Sequence, residues 1–141
     1  MQTTLTFRTD GPGLVEITDR VAGWLPAGAD GLLTLFVRHT SASLLIQENA
    51  APEVRDDLLA WLGRLVPRAT DPSMGYLTHV DEGPDDMPGH IRAALLPTSL
   101  AIPVAGGRMT LGRWQGVYLF EHRDRPHDRE VAAHLLHDRP G

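Results

Sequence analysis

Polar and apolar residues alternate through Thr4-Leu5-Thr6-Phe7-Arg8, the period of a strand with one buried face. After the Gly11-Pro12-Gly13 turn, Leu14-Val15-Glu16-Ile17 reads as a second strand. Thr18 or Asp19 then caps a short helix carrying Val21, Ala22, Trp24 and Leu25, which Pro26 and Gly28 end. Leu32 to His39 is apolar on both parities for most of its length, which predicts a strand covered on both faces. Alternation puts His39 in the row of Leu33, Leu35 and Val37. Ser43 to Gln47 predicts a further strand.

Pro52 suits a first helical position, and Val54, Leu58, Leu59, Trp61, Leu62 and Leu65 follow at helical spacing up to Pro67. A loop over 68–75, a short strand from Tyr76 to Val80 and a loop over 81–84 lead to a helix capped by Asp86. Pro88 stands just inside that helix, which runs through Ile91, Ala94 and Leu95 to Pro97. Ala101 to Leu111, turning at Gly106-Gly107, predicts a hairpin. Gln115 to Arg123 is again apolar on both parities. Gly116 near its start reads as a bulge, and Trp114 reads as a core residue. Residues 129–136 fit a strand or a helix, and periodicity does not choose. With no repeat or linker, the pattern predicts one α+β domain over 1–141, with antiparallel sheets packed against two or three helices.

The chain's 141 residues and 42% hydrophobic content suffice for one core without disulfides or structural metal. Thirteen basic and eighteen acidic residues give a net charge of −5, which argues against a nucleic-acid partner. There is no cysteine, so thiolate nucleophiles and thiolate metal ligands are excluded. Every basic residue is arginine, which excludes a Schiff-base lysine and the lysine of a P-loop. No apolar run reaches the ~20 residues of a membrane span, and the first residues do not resemble a signal peptide. The expectation is a soluble cytoplasmic protein with no membrane partner.

Three segments carry candidate chemistry. Asp81-Glu82-Gly83-Pro84-Asp85-Asp86-Met87-Pro88-Gly89-His90 crowds carboxylates between His79 and His90. Asp86 and His90, spaced i,i+4, share a helix face, while His79 and Asp81 share a side of an extended strand. Such a set suits a divalent metal or acid–base work; a capped helix beside a solvated acidic loop explains the same residues. In His39-Thr40-Ser41-Ala42-Ser43, hydroxyls at a strand mouth can hold phosphate oxygens, or can simply satisfy a turn. Glu48-Asn49 could meet this mouth, or Asn49 could cap the next helix. Glu121 to Arg129 sets histidines and arginines where a phosphorylated ligand could bind, with His122 in the row of Tyr118 and Phe120.

In order and spacing, His39-Thr-Ser-Ala-Ser43, Gln47-Glu-Asn49, Asp85-Asp-Met-Pro88 with His90, Leu111-Gly112 with Trp114-Gln-Gly116, and Glu121-His-Arg123 resemble the YjbQ family, also called UPF0047. The likeness runs over about residues 3–136. It implies a YjbQ-like α+β fold, a homotrimer, and the activity ascribed to many members, secondary thiamine-phosphate synthase. That reaction joins a pyrimidine pyrophosphate to a thiazole phosphate and releases pyrophosphate. The site residues implied are His39, Glu48 and Asp86 for catalysis and His79, His90 and His122 for a divalent metal, zinc or magnesium. Ser41, Ser43 and Arg123 would hold a phosphorylated small molecule. Metal-assisted phosphate-ester hydrolysis and a non-catalytic metal-binding module remain alternatives. Gly89 stands where the family commonly has alanine, Arg92 where it has lysine, and Pro97 where glycine often follows.

Overall fold

The computed structural model of the chain describes residues 1–138. Its elements run β1 (Gln2–Thr9), β2 (Gly13–Glu16), α1 (Thr18–Trp24), β3 (Gly31–Val37), β4 (Ala42–Glu48), α2 (Pro52–Leu65), a 3₁₀ turn (Pro72–Met74), α3 (Asp86–Leu95), β5 (Ser99–Ala105), β6 (Arg108–Met109), β7 (Gln115–Glu121) and β8 (His127–His137). The strands form two antiparallel sheets, one ordered β1-β8-β3-β5-β6 and the other β2-β7-β4.

Alternation along the strands builds the layers. Leu33, Leu35 and Val37 of β3, Val131, Ala133 and Leu135 of β8, Ala42 and Leu44 of β4, and Val117 and Leu119 of β7 are buried in one core, joined by Val21 of α1. The opposite parity of β7 and β4 faces the helices. Phe120, with Leu45 packed beside it, meets Leu62 of α2 and Ile91 of α3 in a second cluster. The result is sheet, core, sheet and helices in sequence, an α+β arrangement.

This layering gives the residues at the end of β7 different surroundings. Glu121 continues the inward row of Val117 and Leu119, while His122 continues the helix-facing row of Tyr118 and Phe120.

The structure departs from the sequence expectations at several places. Tyr76 to Val80 forms no strand, for it lies in irregular chain with Tyr76 73% exposed and no sheet edge to pair. Residues 129–136 are strand, in the interior of the larger sheet, where period-two burial of Val131, Ala133 and Leu135 settles the ambiguity. β3 is covered on one face only: Leu32 and Phe36 are 40% and 49% exposed. Gly116 is no bulge, since β4 and β7 stay in register from Ala42↔Glu121 to Glu48↔Gln115. A Cβ there would meet Glu16 Oε2 at 2.7 Å, so close approach accounts for the glycine. Trp114 is exposed, with the Arg113 guanidinium 4.7 Å over its ring.

Candidate metal centre

The head of α3 does not end in a side-chain cap. Asp85 occupies the N-cap position without a capping bond, and Asp86 is the first helical residue. Both carboxylates turn to Arg123, just beyond β7. Its Nε donates to Asp85 Oδ2 at 2.8 Å and its Nη1 to Asp86 Oδ1 at 2.8 Å. Asp85 Oδ2 also accepts the Asp124 backbone N–H at 2.9 Å, which fixes the loop after β7 against the helix.

The other oxygen of Asp86 is the focus of two imidazoles. His79 Nε2 lies 2.8 Å and His90 Nε2 3.3 Å from Asp86 Oδ2. The i,i+4 spacing on α3 delivers His90, and the irregular segment before the acidic loop delivers His79. One ligand atom from each of His79, Asp86 and His90 lies within 4.8 Å of the others.

Ligands at 2.0–2.1 Å around a tetrahedral zinc are roughly 3.3 Å apart, so small shifts of these side chains would enclose a cation. The donor set, two imidazoles and one carboxylate, is that of catalytic rather than closed structural sites. Asp86 is almost fully buried, whereas the side chains of His79 and His90 are 49% and 34% exposed, leaving the group open on one side. Burial would raise the Asp86 carboxyl, but the hydrogen bond from His79 and the charges of His90 and Arg123 outweigh it and hold it low. Beyond Arg123 and Asp85 lies a polar cleft of about 570 Å³, walled also by Glu82, Arg125 and His127.

The remaining expected site residues lie elsewhere. His122 is not part of this group. It is buried, with Nε2 2.8 Å from Ser43 Oγ, and burial together with Arg92 pushes its pKa down to about 3. His39 accepts the Glu130 backbone N–H on Nε2 at 2.7 Å, and burial lowers its pKa. Glu48 accepts the backbone N–H of Ala51, the residue just before α2, at 3.1 Å. It sits at the opposite end of β4 from Ser43, about 17 Å away at strand rise. The hydroxyls of Ser41 and Ser43 are buried, and Ser41 Oγ accepts from Arg129 Nη2 at 2.9 Å.

Glu121 and Arg129 form a second ionic cluster, one that sequence reasoning did not pair. Glu121 accepts from Thr9 Oγ1 at 2.6 Å, Arg129 Nε at 2.8 Å and the backbone N–H groups of His122 and Arg123 at 3.0 and 3.2 Å. Parity was an available signal. Glu121 shares the inward row of β7, and Arg129 that of Val131 and Ala133, so each inward charge demanded a partner. Burial opposes ionisation of Glu121, but the bonds from Arg129 and Thr9 prevail and its pKa is lowered.

Comparison with known proteins agrees with this architecture. The profile of the family described as "UPF0047 protein YjbQ-like" matches residues 3–138. The UPF0047 protein sll1880 of Synechocystis is 48% identical over 136 residues, covering 95% of this chain and 90% of the relative. The UPF0047 protein YjbQ of Escherichia coli is 42% identical over 137 residues, covering 95% and 96%. The crystal structure of the conserved hypothetical protein TT1486 from Thermus thermophilus superposes with a TM-score of 0.83 at 39% identity, covering 95% of this chain and 99% of that one.

Proposed function

The chain belongs to the YjbQ-like UPF0047 family, and from that premise we propose that it is a metal-dependent enzyme acting on phosphorylated small molecules, with thiamine-phosphate synthase as its secondary activity. The observation that carries the reading is the convergence of His79, Asp86 and His90 on one half-open point. These three residues would hold a divalent cation, zinc or magnesium, with the two imidazoles favouring zinc. A cation bound there would neutralise the charge that develops on a departing pyrophosphate.

In that reaction the thiazole nitrogen forms a bond to the pyrimidine methylene carbon. The carbon–oxygen bond to pyrophosphate breaks, and the electron pair leaves with the pyrophosphate. The chain's own contribution is orientation. Arg123 keeps Asp85 and Asp86 ionised and fixed, so it acts as a positioning residue whose Nε and Nη1 are already engaged. His79 donates its Nε2–H to Asp86 when no cation is present, which holds the ring in place. The roles expected for His39, Glu48, Ser41, Ser43 and His122 are not part of the proposal, because each is engaged away from this group.

A homotrimer and a cytoplasmic location belong to the same proposal. Leu32, Phe36 and Leu136, on adjacent strands β3 and β8, expose an apolar stripe on the outer face of the larger sheet, which supports burial between subunits. No helix among the described residues is long and apolar enough to cross a membrane.

The test is to titrate purified protein with zinc and with magnesium, then supply the pyrimidine pyrophosphate and the thiazole phosphate. The expected products are thiamine phosphate and pyrophosphate, lost in Asp86→Asn. Phosphate release from simple esters, lost in His90→Ala, would instead make the protein a hydrolase. Metal that raises assembly stability without turnover would make it a binding module. Metal uptake unchanged in both variants would sink the reading.

A further inference from the structure

A second cleft, of about 350 Å³, lies on the other flank of α3, lined by Leu59, Arg68, Pro88, Arg92 and His122 together with Asp85 and Asp124. Its two carboxylates already have partners. Asp124 takes both Nη groups of Arg68 at 3.1 and 2.7 Å, and Asp85 takes Arg123. Arg92 is the surplus cation. It forms no ion pair among the described residues. Its Nη2 donates to the Val66 carbonyl at 2.9 Å, and its Nε–H is buried without a partner.

The other orphan in the cleft wall is His122 Nδ1. The buried ring is neutral and carries a single proton, and the Ser43 hydroxyl, 2.8 Å from Nε2, has no other acceptor among the described residues. Ser43 therefore donates to Nε2, and the ring proton resides on Nδ1. Two elements, α3 and the end of β7, thus each hold one buried, unsatisfied N–H on a residue that lines the same cleft. Buried donors in native proteins are seldom left unsatisfied, and an unpaired guanidinium beside one specifies an acceptor that carries negative charge.

We propose that this cleft binds a small oxyanion with a compact apolar body, a phosphate monoester or a carboxylate, held by Arg92 and the Nδ1–H of His122 and packed against Leu59 and Pro88. Both nitrogens are buried, so binding involves a swing of the Arg92 stem, which its flexibility permits. The site uses none of the metal-group ligands and stands or falls independently of the proposed activity.

The experiment titrates the full chain with inorganic phosphate and, separately, with benzoate, in chelator and again with zinc. It reads heat and the ¹⁵N signals of the histidine rings. The expected result is saturable binding of one anion per chain that moves the His122 Nδ1 resonance and is unchanged by His90→Ala. Arg92→Met should weaken it by more than about tenfold while the free protein stays folded, and His122→Gln should weaken it independently. A response to phosphate alone identifies a phosphate ligand, and one to benzoate alone identifies a carboxylate. The proposal fails if neither anion saturates, if Arg92→Met binds undiminished, or if binding requires the metal.

Discussion

The Glu121–Arg129 cluster and the His79–Asp86–His90 cluster use similar chemistry to opposite ends. In the first, a fully buried carboxylate accepts bonds from a hydroxyl, a guanidinium and two backbone N–H groups, and it ties β1, β7 and β8 together. In the second, the carboxylate is equally buried but the imidazoles around it reach solvent. Saturation marks a group that holds the fold, and a buried anchor with open partners marks one that can take a ligand. Arg123, bonded to Asp86 and to Glu121 through its backbone N–H, couples the two clusters mechanically.

The largest effect should come from breaking the sealed cluster. Glu121→Gln leaves the Arg129 charge buried without its counterion and should destabilise the fold by about 3–5 kcal/mol in urea unfolding. A loss below about 1 kcal/mol would mean that the pair is hydrated rather than sealed.

Next comes His122, neutral in the fold with a pKa of about 3. The unfolded chain's histidine titrates near 6.5. Between these values the unfolded state binds the extra proton, so stability declines as pH falls from about 6.5, by up to about 1.4 kcal/mol per pH unit, and levels off near the folded pKa. His122→Gln should remove that slope. The depressed carboxylates Asp85, Asp86 and Glu121 act lower, their contribution disappearing as pH falls below about 4.

His90→Ala sharpens the contrast from the open side. It should weaken zinc binding by more than about tenfold in calorimetric titration. The metal-free protein should lose less than about 1 kcal/mol, because the side chain is a third exposed. The smallest effect is Gly89→Ala. The added methyl would meet Arg123 Cδ and Ser41 Cβ at 3.5 Å, ordinary contact, so the helix should gain up to about 1 kcal/mol in thermal unfolding. A loss would show that the backbone of α3 has no room beside β7.

Much of the fold could be read from local pattern. The alternation of β1, the apolar runs of β3, β4 and β7 and the helical spacing over 52–65 all became the elements they predict. Failures came where local pattern carries little constraint. Tyr76 to Val80 reads as a short strand yet has no edge to join, and Leu32 and Phe36 gave no sign of which β3 face would lie bare. In the site, the i,i+4 pair Asp86 and His90 was visible because one helix turn suffices to bring them together. His122, which the family resemblance placed among the metal ligands, lies apart from this group. Alternation placed its ring in the row of Tyr118 and Phe120, but did not show that the ring would meet Ser43 there.

What the order of residues decided alone was the inventory and the periodicity: no thiol, no lysine, imidazoles and carboxylates crowded over 79–90, and the alternations that choose strand or helix. Tertiary structure decided which groups meet. The packing of the two sheets brings Glu121 to Arg129 and Thr9, and the packing of α3 on the smaller sheet brings Arg123 to Asp85 and Asp86. The physical reason is range. Backbone periodicity acts over a few residues, whereas desolvation and charge pairing act between groups 37 or 38 positions apart that only the closed fold makes neighbours.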